Sequence, residues 1–145
     1  LSSESKLEIR GMLREVTEIE SIGDSCYNLA RTINRKRSGG NDFTEKQYEH
    51  IHQMMQLTDD ALAQMIAVVE DEHHAVDVNK SFNIENEMNN YRAQLKNQNV
   101  VDVNNKEYDY QMGVHYMDLI GECEKLADYV VNVVEARTNV KEKKA

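Results

Sequence analysis

The chain has 145 residues, with no proline, no tryptophan, six glycines and two cysteines. Each scarcity excludes something. Without proline, no residue lacks a backbone donor or breaks a helix from within. A proline-free chain rich in Glu, Lys, Leu, Met and Ala reads as all-α. Cys26 and Cys123 are far apart and form no Cys-x-x-Cys, so there is no disulfide framework to read, and a reducing compartment is the default. No apolar run approaches the length of a membrane span, and no stretch reads as a signal peptide. Cations are in deficit. The formal net charge is −9, which argues against nucleic acid and against direct contact with an anionic membrane surface. What remains is a single acidic helical domain, long enough to bury a core.

Hydrophobic spacing divides the chain into four helices at about 5–37, 44–73, 78–97 and 106–138. The first carries Met12, Val16, Ile19, Gly23, Cys26, Ala30 and Ile33 at alternating spacings of four and three, a seam for packing. Its basic end, Arg31 to Arg37, suits a helix C-terminus, and Gly39 and Gly40 stop it. Thr44 and Gln47 predict a capping box, with Phe43 stapled on Tyr48. The second seam is Tyr48, Ile51, Met55, Thr58, Leu62, Met65 and Val69, and DEHHAVD reads as a turn. The third helix turns Ile84, Met88, Tyr91 and Leu95 inward. NQNVVDVNN reads as a connection. The fourth seam is Tyr116, Ile120, Cys123, Ala127, Val130 and Val134. The tail KEKKA is expected to fray. Short connections make this an antiparallel four-helix bundle.

The first and last helices share a frame. ESIGDSCYNLA at Glu20 and EKLADYVVNVV at Glu124 both follow E-x-[IL]-[GA]-D-x-x-x-N, 104 positions apart. Their seams superpose under the same shift. Residues four apart on a helix share a face, about 6 Å apart. Glu20 and Asp24 therefore form one carboxylate row, and Glu124 and Asp128 another, each at the rim of the packed face and extended by an amide, Asn28 or Asn132. Gly23 and Ala127 leave room for a neighbouring helix. A divalent cation would relieve the repulsion within each row, and such oxygen ligands suit iron, manganese, magnesium or calcium. The plain alternative is a solvated acidic edge.

These repeated motifs resemble the E/D-x-x-x-D helix motif of PhoU-like proteins, all-α regulators of bacterial phosphate uptake built from two copies of a three-helix unit that the motif closes. The resemblance implies that helices two to four form one complete unit and that helix one is the last helix of a preceding unit. It implies a possible metal site at Glu20, Asp24, Glu124 and Asp128, with Asn28 and Asn132 as outer ligands and iron, manganese or zinc as the ion. PhoU-like domains also form the cytoplasmic C-terminal parts of bacterial sodium/phosphate cotransporters, and a first residue that is leucine fits a piece of a longer chain. The expectation is a non-enzymatic regulatory domain at the cytoplasmic face of the inner membrane, whose partner is the transporter's membrane-spanning region. Helix one without its neighbours would leave its seam partly open, so a second copy, a homodimer, is a further expected partner. A stand-alone PhoU-type regulator, a ferritin-like carboxylate metal protein and a structural dimerisation bundle are the alternatives.

Rival constellations are weaker. Asp118 and Glu122, with His115, form another acidic row, but it lies well over 90° around helix four from Glu124 and Asp128. Glu49 with His52 and Glu70 with His73 match Glu-x-x-His, half of a di-iron motif. They are 21 residues apart on one helix, about 30 Å at the helical rise, too far to share a cluster. His74 adds at most adventitious metal binding. Both cysteines fall on seam positions, where a buried inert thiol is expected. Met54, Met55 and Met65 read as core.

Overall fold

A computed structural model describes residues 1–38, 41–73, 75–140 and 142. Among them run four helices and no strand: α1 (Ser3–Ser38), α2 (Glu45–Val69), α3 (Asn79–Asn104) and α4 (Tyr110–Thr138). The all-α bundle expected from the sequence is the observed architecture. Gly39, Gly40, His74 and most of the KEKKA tail, to which helix-stopping, metal-binding and fraying roles were assigned, lie outside the described residues.

The bundle is uneven. α4 packs against all three other helices and α2 against α3, whereas α1 packs along α4 and meets α2 through Lys36 at its C-terminal end. Twelve of the 29 residues of α4 are buried, including all six of its expected seam positions. Met54, Met65 and Val68 of α2 and Phe82, Met88 and Leu95 of α3 close over that seam. Side-chain contacts give the directions. Ser25 meets Glu122 and Gly11 lies against Ala136, so α1 and α4 are antiparallel. Arg92 meets Glu124 and Asn99 approaches Gly113, so α3 and α4 are too. A Cβ on Gly113 would come within 2.9 Å of Val103 Cγ2, so the missing side chain is what lets α3 and α4 close there.

The capping box forms as expected: Thr44 N donates to Gln47 Oε1 at 3.0 Å and Gln47 N to Thr44 Oγ1 at 3.1 Å. Phe43 and Tyr48 meet edge to face with centroids 5.5 Å apart. The same corner holds Lys36, which is buried rather than solvated. Its Nζ donates to Asp42 and, at 2.8 Å, to Tyr48 Oη, and lies 4.9 Å from the Phe43 ring centroid. The Asp42 partner raises the Lys36 pKa, and Lys36 in turn lowers that of Asp42.

Three boundaries differ from expectation. α2 ends at Val69 rather than near His73, because the Asp71 carboxylate accepts from the backbone of His73 and Val76 and gives the chain an alternative to the helix. α3 continues through NQNVVDVN to Asn104, two turns past the expected end. It stops in a Schellman turn, with Glu107 N donating to Asp102 O, Lys106 N to Val103 O and Lys106 at φ 61. α4 consequently starts at Tyr110 and not at Lys106, capped by Asp109 Oδ1 accepting from Met112 N at 2.8 Å.

The α1 seam is also corrected. Met12, Val16, Ile19, Cys26 and Ile33 are exposed. The face on α4 is the row one residue earlier: Gly11, Glu15, Glu18, Ile22, Ser25 and Leu29. That face is held largely by polar contacts. Asn132 donates to Glu18 at 3.1 Å, Arg14 pairs with Glu135 at 3.3 Å, and Arg137 lies 4.0 Å from Glu15. Cys26 is thus not a buried thiol. Cys123 is, and burial pushes its pKa up to about 11.

Candidate functional site

The α4 carboxylate row lies on the edge facing α3. Glu124 Oε2 is 3.2 Å from Arg92 Nε; the approach is an ion pair that falls short of a hydrogen bond, since the same nitrogen has no hydrogen-bond partner. Burial raises the Glu124 pKa, Arg92 opposes this, and Asp128 adds to it. Glu85 of α3 stands at the same edge. Burial first, then the carboxylates of Glu142 and Asp128, push its pKa up to about 8. Asp128 therefore acts on both Glu85 and Glu124 along this edge.

The α1 row is elsewhere. Glu20 and Asp24 are exposed. At about 100° per residue they sit roughly half a turn around α1 from the face that meets α4. Among the described residues Gly23 has nothing within 4 Å of where a Cβ would be, so no helix approaches it there, whereas Ala127 is buried. The amides have separated as well: Asn28 reaches Glu122 at 3.4 Å and Asn132 reaches Glu18. The two rows do not converge, and among the described residues no three His, Cys, Asp or Glu side chains form a group that would hold an ion. A cluster held jointly by Glu20, Asp24, Glu124 and Asp128 does not fit this arrangement. Each row by itself offers two carboxylates one turn apart.

Of the rivals, Glu122 accepts from Ser25 Oγ at 2.8 Å and, with Asp118, Arg31 and Arg35, lines a cleft of about 200 Å³ between α1 and α4. His115 faces Gln111 at 3.2 Å. Glu49, His52, Glu70 and His73 lie on the surface, while Met54 and Met65 are core.

Sequence reasoning passed over one further feature, a polar pocket of about 270 Å³ where α2, α3 and the start of α4 meet. His50 Nδ1 lies 2.9 Å from Tyr116 Oη, and Tyr108 Oη donates to Asn99 Oδ1 at 2.5 Å. Burial lowers the His50 pKa and raises those of Tyr108 and Tyr116, so the pocket presents a neutral imidazole and two protonated phenols. Its only sequence signal was that His50 shares a helical face with Met54, four residues on.

No protein-family model, no curated protein and no solved structure matches the chain. Among the described residues no helix is long and apolar enough to cross a membrane.

Proposed function

We propose that the chain is a PhoU-like, non-enzymatic regulatory domain of a sodium-dependent phosphate transporter, acting at the cytoplasmic face of the inner membrane on the transporter's membrane-spanning region. One observation carries the reading. α2, α3 and α4 close on one another as a three-helix unit, while α1, which repeats the α4 frame, packs along α4, reaches α2 through Lys36 at its C-terminal end, and leaves open the seam that α4 buries. That is the arrangement expected of one complete unit and the last helix of another. The relevant experiment is sodium-driven uptake of radiolabelled phosphate by cells making the transporter with and without this domain. The reading predicts a severalfold change in uptake or in its response to phosphate supply. Identical uptake under all phosphate conditions would refute it.

Metal enters this proposal only row by row. The α4 edge is the favoured row, because there the carboxyls of Glu85 and Glu124 are held above their usual range beside Asp128, and an ion replaces protons at such groups. Calorimetric titration with iron(II), manganese(II) and zinc(II) should give binding that Glu124→Ala/Asp128→Ala abolishes and Glu20→Ala/Asp24→Ala leaves in place. No heat above dilution, or heat unaffected by the α4 substitutions, removes the metal from the proposal without touching the transport reading.

A further inference from the structure

We propose that the open stripe of α1 is the interface with a second copy of this chain, packed as an antiparallel α1–α1′ pair centred on Ser21.

The stripe begins at Ile9 and continues through Met12, Val16, Ile19, Gly23, Cys26 and Ala30 to Ile33, at strict alternating spacings of three and four. This is the seam of a two-helix coiled coil. It is about 36 Å long at the helical rise, and no part of α2 or α3 covers it. Ile9, Met12, Val16, Ile19 and Ile33, with Leu13 and Tyr27 on its border, are each 41–65 % exposed. Covering them would remove roughly 700 Å² per copy, close to the ~800 Å² per partner of a standard specific interface and above the usual apolar patch of a monomer.

The seam is complementary to itself in one register. In an antiparallel pair, each layer joins one seam residue to a residue of the opposite seam class in the other helix. With the two-fold at Ser21, every seam position finds a mate: Ile9 with Ile33′, Met12 with Ala30′, Val16 with Cys26′ and Ile19 with Gly23′. In three of these four layers a large residue faces a small one, which is how helices interdigitate without voids. A parallel pairing would set Gly23 on Gly23′ and Ala30 on Ala30′, leaving gaps. Gly23, open to solvent within the chain, acquires a role in this register as the socket for Ile19′. The register has an opposing term. It brings Glu20 beside Glu20′ at the flank of the two-fold, so like charges weaken the pair.

The inference concerns this chain alone and is tested apart from the transport reading, under which helices of a preceding unit would compete for the same stripe. Light scattering coupled to size exclusion at about 100 µM, well above the micromolar Kd within reach of an interface this large, should give a dimer. Val16→Glu/Ile19→Glu should give a monomer of unchanged helix content by circular dichroism, both positions being exposed in the single chain. Glu20→Gln should tighten the dimer severalfold. Copper-phenanthroline oxidation fixes the register. Val16→Cys should form an intermolecular bond to the native Cys26 of the second copy. The unaltered chain should not cross-link through Cys26, because the register places Cys26 and Cys26′ ten residues apart, about 15 Å. A monomer at this concentration, a dimer that survives Val16→Glu/Ile19→Glu, or a Cys26–Cys26′ bond in the unaltered chain would overturn the proposal.

Discussion

Glu85 is held with its carboxyl at a pKa of about 8, by burial and by the carboxylates of Glu142, Asp128 and Glu135, against an ordinary 4.5. Its folded pKa is raised, so between these values the folded chain binds more protons than the unfolded one. Its contribution is complete below about pH 4.5 and is lost as pH rises through about 8. Glu85→Gln, which keeps the neutral shape, should therefore raise Tm by a few degrees at pH 9 and change it little at pH 4. An identical shift at both pH values would contradict the assignment. His50 acts in the opposite sense. Burial lowers its pKa from 6.5, so its effect appears as pH falls below that value; it is common to both chains and cancels when Glu85→Gln is compared with the unaltered chain at one pH. At this scale the sequence was partly legible. The Thr44 capping box and the buried thiol of Cys123 follow from local patterns. The inward turn of Lys36 and the exposure of Cys26 do not, because both depend on which side of α1 meets α4.

At the scale of elements, the ends of α2 and α3 and the start of α4 lie where local pattern did not place them, and the reasons are specific. The end of α3 was hidden because the left-handed position of its Schellman turn is Lys106, where glycine is the usual signal. Polar and β-branched residues from Asn97 onward resemble a connection, yet they contain neither proline nor glycine, and Gln98 bridges to Asp102 at 2.9 Å within the helix. Val100 is 56 % exposed, so a substitution there tests the backbone more than the packing. Val100→Pro should cost about 3 kcal/mol in chemical denaturation if α3 runs to Asn104. A cost near zero would restore the connection first expected. The α1 seam was misplaced by one residue for a different reason. Hydrophobic periodicity finds the most apolar face, and on α1 that face is not the one meeting α4, which relies on Glu18, Ser25 and Glu15 with their α4 partners.

At the scale of the whole molecule, the bundle is asymmetric: a closed three-helix unit, and a fourth helix committed on one side only. The all-α class and the inner seam of α4 were legible because α4 meets all three other helices, so its apolar pattern has one physical solution. The carboxylate rows were legible as a repeat but not as a site, because whether two rows converge is set by helix rotation, which spacing within each helix does not contain. α1 buries only Ile22, Ser25, Leu29 and Lys36, and elements with few buried contacts open first. Hydrogen exchange followed by mass spectrometry, over a range of chain concentrations, tests this most directly. At high dilution the α1 amides should exchange at least tenfold faster than those of α4, corresponding to about 1.4 kcal/mol, and should slow as concentration rises while α2, α3 and α4 stay unchanged. Protection of α1 equal to that of α4 at every concentration would contradict the account.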